Sequence, residues 1–175
     1  HSLSCGLICK NLSGKIKSLL PFDPEEAFCA GLLHDIGKVV LEQYVHEDFH
    51  KALQLAAEEE IPVFEAEKRV LGYTHTDVAE WLTENWGLPS EIQFPLIYHH
   101  STSQSSDYQN IVALCHVSDW LCYECGMGVG GQFKAPQVEE SCFELLRIRE
   151  EDIEEIKRFL PEEVEKTSIF FELGT

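Results

Sequence analysis

The chain has 175 residues, a formal net charge of −18 and 44% apolar residues. This length allows one domain with a sizeable core or two small domains. The negative charge repels nucleic-acid phosphates and anionic lipid, so we expect neither as a general partner. No apolar run approaches the roughly 18 residues of a membrane span, and no membrane segment is predicted.

The first predicted helix covers about the first 20 residues, where apolar residues recur at helical spacing. Asp23 and Pro24, followed by two glutamates, mark the start of a second helix. This helix is predicted to run through the pair His34-Asp35.

The remaining elements are also predicted to be helical. The patterns indicate helices over 48–60, 63–71, 75–86, 88–100 and 108–125, a structureless segment at 101–107, a glycine-rich break at 126–131, and helices over 136–146 and 151–159. No segment alternates convincingly with a period of two, so the predicted fold class is all-α. We predict a helical core over residues 1–125 and a C-terminal helical extension over 126–175, packed on the same domain.

The seven cysteines are an odd number, and most lie in apolar helical patterns. Buried free thiols in a reducing cytosol explain this usage better than a disulfide framework does, so we expect a cytoplasmic protein. Cys122 and Cys125 have the spacing of a zinc ribbon. However, they lie in a helical run without a second such pair, which disfavours a structural zinc there.

The pair His34-Asp35 stands in the otherwise apolar segment 30–38. A buried carboxylate costs several kcal/mol unless a cation or hydrogen-bond donors compensate it. Imidazole and carboxylate groups are also ligands of divalent metals. Lys38 lies one helical turn after His34 and can project toward the same site.

Five further polar residues lie at helix ends or in apolar helices, as residues that converge on a bundle core do: His1, His75, His99, His100 and Asp119. Each has a simpler interpretation alone, such as a frayed terminal histidine or a histidine that covers a helix end. Together with the central pair they provide more ligands than one ion needs. Two ions about 3.5–4 Å apart would use them well and could clamp phosphoryl oxygens. His46 and His50 lie in a polar stretch and are expected to be solvated surface residues.

The order H, HD, H, HH, D over residues 1–125 resembles the HD superfamily of metal-dependent phosphohydrolases. The segments 28–38, 65–75 and 86–89, followed by His99-His100, resemble more closely the HDOD subfamily, the HD-related output domain of bacterial signalling proteins. The resemblance implies an HD-domain-like helical bundle. The HD-GYP group shares the histidine order and the lysine. However, His99-His100 leads into Ser-Thr-Ser-Gln-Ser-Ser without Gly-Tyr-Pro, which disfavours hydrolysis of cyclic di-GMP.

The resemblance also implies roles for the candidate residues. One metal ion would be held by His1, His34, Asp35 and Asp119, and a second by His75, His99 and His100, with Asp35 as the bridge. The ions would be two divalent metals, such as Fe, Mn, Mg or Zn. Asp35 and Lys38 would be the catalytic residues, with Lys38 steadying a phosphate or another anion, and Glu67 would support the ligands from behind.

Two functions follow from this comparison. HDOD domains are usually regulatory, so the first is a bacterial signal-transduction module that acts on a signalling protein or an adjoining regulatory domain. The alternative is a metal-dependent phosphohydrolase that acts on a small nucleotide or cyclic nucleotide. A third interpretation of the polar residues is that they hydrogen-bond one another in an empty site. Metal analysis and hydrolysis screening separate the three.

Overall fold

The structure is a computed structural model that describes residues 1–16, 22–105, 107–128 and 133–172, with side chains up to residue 167. Within these ranges the chain forms ten α-helices, one short 3-10 helix and no strand, which confirms the all-α prediction. The helices are α1 (Ser2–Lys15), α2 (Pro24–Leu33), α3 (Ile36–Tyr44), α4 (His46–Glu59), α5 (Val63–Val70), α6 (His75–Trp86), α7 (Ser90–Tyr98), the 3-10 helix (Thr102–Gln104), α8 (Gln109–Glu124), α9 (Glu140–Leu146) and α10 (Glu150–Glu172). Residues 17–20 of the first predicted helix and 129–131 of the predicted break lie outside the described residues.

The helix starts predicted at Asp23 and at residue 75 are confirmed, and both helices begin with a capping box. The Asp23 carboxylate accepts a hydrogen bond from a backbone N–H of the first turn of α2, and Glu26 reaches back to the Asp23 N–H. Thr74 and Asp77 make the same reciprocal pair at the start of α6. These caps satisfy backbone donors that a helix start otherwise leaves free, and they fix where each helix begins.

The prediction that one helix runs through His34-Asp35 is wrong. Helix α2 ends at Leu33, the pair forms a turn, and α3 begins at Ile36. Asp35 has φ −98° and ψ 14°, outside the helical region. The physical reason is tertiary: Gly37 packs so closely on the backbone of His75 that a Cβ at residue 37 would overlap the His75 carbonyl oxygen. The turn brings α3 against α6 and lets both side chains of the pair face one site.

Other elements also differ from the predictions, and the largest differences lie in the second half of the chain. The segment 101–107 contains a 3-10 helix, with Thr102 and Ser105 buried. Helix α9 begins at Glu140 rather than at 136. Helix α10 continues to Glu172 with Pro161 inside it, although the prediction ended at 159. Burial of the apolar face of α10, including Leu160, offsets the backbone hydrogen bond that proline removes.

The main core lies around α1. Helix α1 packs against α2, α8 and α10, and α9 packs against α8. Buried residues of α9 and α10, such as Leu146 and Ile156, join the same apolar cluster as residues of α1 and α8. One core therefore includes residues of both 1–125 and 126–175. In the part of the chain that the structure describes, no helix has both the length and the apolar composition needed to cross a lipid bilayer.

Candidate metal centre

The structure brings the seven predicted metal ligands to one place between the helices. His1 precedes α1, His34 and Asp35 form the turn after α2, His75 opens α6, His99 and His100 follow α7, and Asp119 lies in α8. All but His1 and His100 are buried, and these two are partly buried. Residues that are up to 118 positions apart in sequence are thus gathered into a single cluster of imidazoles and carboxylates.

One half of the cluster is built around His1 and His34. Their Nε2 atoms lie 3.3 Å apart. The His1 Nε2 atom lies 3.2 Å from Asp119 Oδ1 and 3.4 Å from Asp35 Oδ2. The corresponding distances from His34 Nε2 are 3.7 and 3.4 Å. Two ring nitrogens and two carboxylate oxygens therefore face a common point.

The other half is built around the second oxygen of Asp35. The Nε2 atoms of His75 and His99 lie 3.3 and 3.9 Å from Asp35 Oδ1 and 3.4 Å from each other. His100 joins them, since a ligand atom from each of the three histidines lies within 4.8 Å of the others. Asp35 thus presents one oxygen to each half of the cluster.

The outward-facing ring nitrogens of four histidines are held by acceptors. Each Nδ1 atom lies near an oxygen: His1 near Met127 O (3.2 Å), His34 near Gly31 O (2.7 Å), His75 near Glu67 Oε2 (2.7 Å) and His99 near Pro95 O (3.0 Å). Because carbonyl and carboxylate oxygens only accept, each Nδ1 carries the proton. In the neutral rings the inward Nε2 atoms are then bare lone pairs, which is the arrangement of metal-binding histidines.

Glu67 is the one residue that the sequence comparison placed behind the ligands, and the structure puts it against His75. The carboxylate is fully buried, and its Oε2 atom accepts from both the backbone N–H (2.8 Å) and the Nδ1–H (2.7 Å) of His75. Its position fixes the ring orientation of His75.

His116 is a supporting residue that the sequence analysis missed. Its Nε2 atom accepts a hydrogen bond from the Glu139 N–H (3.0 Å), so its Nδ1–H donates to the carbonyl oxygen of His99 (2.7 Å). His116 thereby fixes the backbone that carries His99 and His100. The available signal was its place in α8, three residues before Asp119 and on the same helical face.

The histidine pKa values shift in opposite directions in the two halves of the cluster. Burial alone lowers the pKa of an imidazole, but at His1 the hydrogen bonds to Asp119 and Asp35 outweigh burial and raise the pKa to about 12. The charges of the same two carboxylates raise the pKa of His34. Protons on these rings therefore balance the carboxylates when no metal is bound, and a divalent cation can replace them.

The pKa values of His99 and His100 shift the opposite way. Burial holds the pKa of both well below its usual range, and the charges of neighbouring histidines add to this effect. These two rings stay neutral and available as ligands at neutral pH. At Asp35, burial would raise the pKa, but the charges of His34 and Lys38 outweigh it and hold the pKa well below its usual range.

Lys38 lies at the edge of the cluster. Its Nζ atom is 2.7 Å from Asp35 Oδ2, and its side chain is 16% exposed. Burial would lower the pKa of this amine, but the charge of Asp35 outweighs that and raises it. An ammonium group has three donors, so Lys38 can bind Asp35 and still offer donors to an anion at the mouth of the site.

Two open cavities meet at His100. Phe64 stacks on the His100 ring, with the centroids 4.3 Å apart. A cavity of about 660 Å³ has both residues in its wall together with Lys68 and Arg69, and a second cavity of about 860 Å³ has both residues in its wall beside Lys134. The cluster therefore has an approach from solvent at its His100 side.

The residues fit a divalent metal ion. Asp35 Oδ1 and His100 Nδ1 are buried atoms without a hydrogen-bond partner in the described protein. The facing Nε2 atoms of His75 and His99 are lone pairs 3.4 Å apart, and such a contact is favourable only with a cation between them. Imidazole and carboxylate together suit borderline and hard divalent ions.

The chain is similar to known proteins in sequence and in fold. A model of the HDOD domain family matches residues 1–102. Three solved structures share the fold. A candidate signal-transduction protein of Marinobacter aquaeolei VT8 has 23% identity and a TM-score of 0.77, and the match covers 99% of this chain and 38% of that chain. An HDOD domain protein with unknown function of Geobacter sulfurreducens has 24% identity, a TM-score of 0.69 and coverage of 97% and 58%, and a candidate phosphohydrolase of Shewanella amazonensis SB2B has 16% identity, a TM-score of 0.55 and coverage of 91% and 61%. A search of curated proteins found no match.

The structural similarities and the family match support different conclusions. Each identity to a solved structure is below 25%, so the three structures show a shared fold. The chain spans 38 to 61% of the length of those proteins. The family match covers more than half of the chain and includes His1, the His34-Asp35 turn, His75 and His99-His100. The chain belongs to the HDOD family.

Proposed function

We propose that this chain is a bacterial signal-transduction module of HDOD type whose core holds divalent metal. The observation that carries the proposal is the set of inward Nε2 atoms around Asp35, each fixed by an acceptor on its far side. A cluster that merely filled the core would not leave the Nε2 atoms of His75 and His99 facing each other at 3.4 Å. Membership of the HDOD family and the description of the Marinobacter protein support the signalling role.

The two halves of the cluster define the proposed ligand sets. The first consists of His1, His34, Asp35 and Asp119, and the second of His75, His99, His100 and the shared Asp35. Metal at these positions would tie α1, α6, α8 and the turns after α2 and α7 together. Metal binding would stabilise this core. A signalling protein or an adjoining regulatory domain that recognises the stabilised fold would then respond to metal binding.

A second candidate function is hydrolysis of a small phosphoester, such as a nucleotide or cyclic nucleotide. A bound divalent ion would supply a Lewis acid that polarises phosphoryl oxygens and makes water more acidic. Lys38 would neutralise the phosphate, and Asp35 would be a ligand in both metal-binding sets. The cavity beside His100 supports access of a small molecule from solvent.

The decisive experiment measures metal content and thermal stability together. Metal-loaded protein should contain bound Fe, Mn or Zn by elemental analysis and should melt higher than protein treated with chelator. At a free metal concentration of about 100 times Kd the gain is roughly 2.7 kcal/mol, or about 5–10 °C for a domain of this size. Asp35→Ala should contain no metal and melt alike with and without chelator, whereas the exposed control Asp48→Ala should behave as wild type.

The second candidate function needs a separate assay. Phosphoester substrates are screened with Mn²⁺, Fe²⁺ or Mg²⁺, and any activity must vanish in His34→Ala and Asp35→Ala. A metal-loaded protein that turns over no phosphoester leaves the signalling module as the function. A wild type without metal whose melts ignore chelator contradicts the metal proposal and favours a hydrogen-bonded, empty site.

A further inference from the structure

A second group of metal-ligating side chains lies on the surface, where α3 meets α4. Glu42 belongs to the last turn of α3, His46 is the first residue of α4, and His50 lies one turn further on. One ligand atom from each of the three residues lies within 4.8 Å of the other two. The group therefore has the composition of a metal site with two histidines and one carboxylate.

The sequence places the two histidines on one face of α4. The segment 46–50 reads His-Glu-Asp-Phe-His, which is the H-E-x-x-H spacing of two zinc-binding histidines on a helix. Residues four apart are neighbours on the helix surface. This spacing alone is weak evidence, so a metal site also needs a third ligand and suitable distances. Glu42 supplies the third ligand from α3, across the junction at Val45.

The distances fit a single ion. Glu42 Oε1 lies 2.9 Å from His46 Nδ1, and Glu42 Oε2 lies 3.2 Å from His50 Nε2. Bonds from Zn²⁺ to nitrogen and oxygen are ~2.0–2.2 Å long, so two ligand atoms of a tetrahedral ion lie roughly 3.3–3.6 Å apart. The described separations are close to this value, and the exposed side chains can rotate to reach it.

Both rings are in contact with solvent, as the sequence predicts for surface histidines. The side chains of His46 and His50 are 60% and 55% exposed, and that of Glu42 is 47% exposed. An ion with these three ligands would keep a coordination position for water, as zinc sites with three protein ligands do. It would also exchange with solvent and be removed by desalting, so it is counted only at equilibrium with free metal.

We propose that Glu42, His46 and His50 form a surface binding site for a borderline divalent metal ion such as Zn²⁺. Imidazole ligands favour Zn²⁺, Cu²⁺ or Ni²⁺ over Mg²⁺ and Ca²⁺, which prefer oxygen ligands. Either nitrogen of a neutral imidazole can bind the ion. The ion would replace the ring protons that the carboxylate accepts in the metal-free protein, and it would tie α3 to α4.

This surface site is separate from the cluster around Asp35. Glu42 follows Asp35 by seven residues, which is about 10 Å along a helix axis. The two sets of ligands share no residue. Helix α3 begins beside the buried cluster and ends at the surface site. Metal binding at the surface site therefore does not depend on the function proposed for the core.

Hydrogen bonding alone is the simpler explanation, but it accounts for less of the arrangement. Elsewhere on α4, Asp48 pairs with the single cation Lys51. Glu42 instead meets two rings whose centroids are only 4.2 Å apart. Two protonated imidazoles at this distance repel each other, whereas one divalent ion supplies the same charge from a single point.

The test is a titration of the full chain with Zn²⁺ at a fixed neutral pH, followed by equilibrium dialysis and by NMR of the imidazole rings. The ring signals of His46 and His50 should move together as one Zn²⁺ binds, and excess Mg²⁺ should not reverse the change. In His46→Gln, His50→Gln and Glu42→Gln this binding step should weaken about tenfold or more, since even the loss of a ligand's supporting partner has that effect.

Matched variants make the outcome specific. Glu58→Gln, on the same exposed side of α4 chemistry but bonded to Gln54 instead of a histidine, should bind Zn²⁺ as the wild type does. Asp35→Ala should keep this step, so failure of the core proposal would leave it intact. Circular dichroism checks each fold. Ring signals of His46 and His50 that do not move with Zn²⁺ in the wild type overturn the proposal. Equal Zn²⁺ affinity in the wild type, His46→Gln and His50→Gln overturns it as well.

Discussion

Glu67 binds His75 twice, through the backbone N–H and through the Nδ1–H, with one carboxylate oxygen. The contact joins α5 to the start of α6 and leaves the His75 Nε2 atom facing Asp35 at 3.3 Å. Two donors thereby satisfy one oxygen of a buried acid, whereas its other oxygen, Oε1, has no hydrogen-bond partner in the described protein. The same contact sets the direction of a proposed metal ligand.

We predict that Glu67→Gln weakens metal binding by about 10–100-fold, the usual effect of removing the partner of a ligating histidine. A carboxamide oxygen in the same place can still accept both hydrogen bonds, but as a neutral group it does not make the ring more basic. Calorimetric titration of Mn²⁺ or Zn²⁺ into metal-free protein measures the change.

Glu65→Gln is the control, because Glu65 lies on the same helix and in the wall of the 660 Å³ cavity beside His100. It should bind metal as the wild type does. Equal affinities for the wild type and Glu67→Gln would mean that this contact serves folding alone.

Gly37 is predicted to be intolerant of any side chain. A Cβ there overlaps the His75 carbonyl oxygen, which is backbone and cannot move aside as a flexible side chain does. Gly37→Ala should lower the free energy of unfolding by about 1–3 kcal/mol or more, as overpacking does, and should displace His75 from Asp35. Urea denaturation and metal titration measure the two effects.

Gly14 offers the contrasting substitution. An added Cβ there meets nothing within 4 Å, and the residue lies in α1. Gly14→Ala should stabilise the protein by about 0.5–1 kcal/mol, because alanine loses less backbone entropy in a helix. For the first substitution, a Gly37→Ala protein as stable as the wild type would show that Gly37 of α3 does not contact the His75 backbone of α6 as described.

The convergence of the seven candidate ligands was predictable from sequence, because they are polar residues at helix ends or in apolar helices. The turn at His34-Asp35 was not, since it depends on the packing of Gly37 against His75, which lies 38 residues further on. The role of His116 was hidden for the same reason: its partners are two backbone groups from distant segments. Local patterns identified the helix caps, but tertiary contacts decided how the ligands face one another.

The metal-free protein should lose stability as the pH rises above about 7. The folded pKa of His1 is raised to about 12, compared with roughly 6.5 in an unfolded chain. A raised pKa contributes stability that is complete below the unfolded value and is lost as the pH rises toward the folded value. Between pH 7 and 9 the slope from one such proton is about 1.4 kcal/mol per pH unit.

His1→Gln should remove most of this slope, as chemical denaturation at several pH values in the presence of chelator would show. Metal-loaded wild type should show the slope reversed or absent, since metal competes with protons and is favoured at high pH. His50→Gln, at an exposed position, is the control. A metal-free wild type whose stability is constant from pH 7 to 9 would contradict a protonated His1.

The last prediction separates the role of Lys38 from that of Asp35. Lys38 contacts Asp35 Oδ2 at 2.7 Å but contacts solvent as well, so it is placed to bind an anion and not to hold the metal. In Lys38→Ala, metal content should be unchanged while binding of inorganic phosphate to the metal-loaded protein weakens about tenfold, near the low end for a hydrogen bond between charged groups. Lys38→Arg should recover part of the affinity, because the charge remains but the geometry differs.

The exposed Lys51→Ala should match the wild type, whereas Asp35→Ala should lose metal and phosphate together. If a phosphoester is turned over, activity should fall but survive in Lys38→Ala. Loss of metal from Lys38→Ala as complete as from Asp35→Ala would contradict this division of roles.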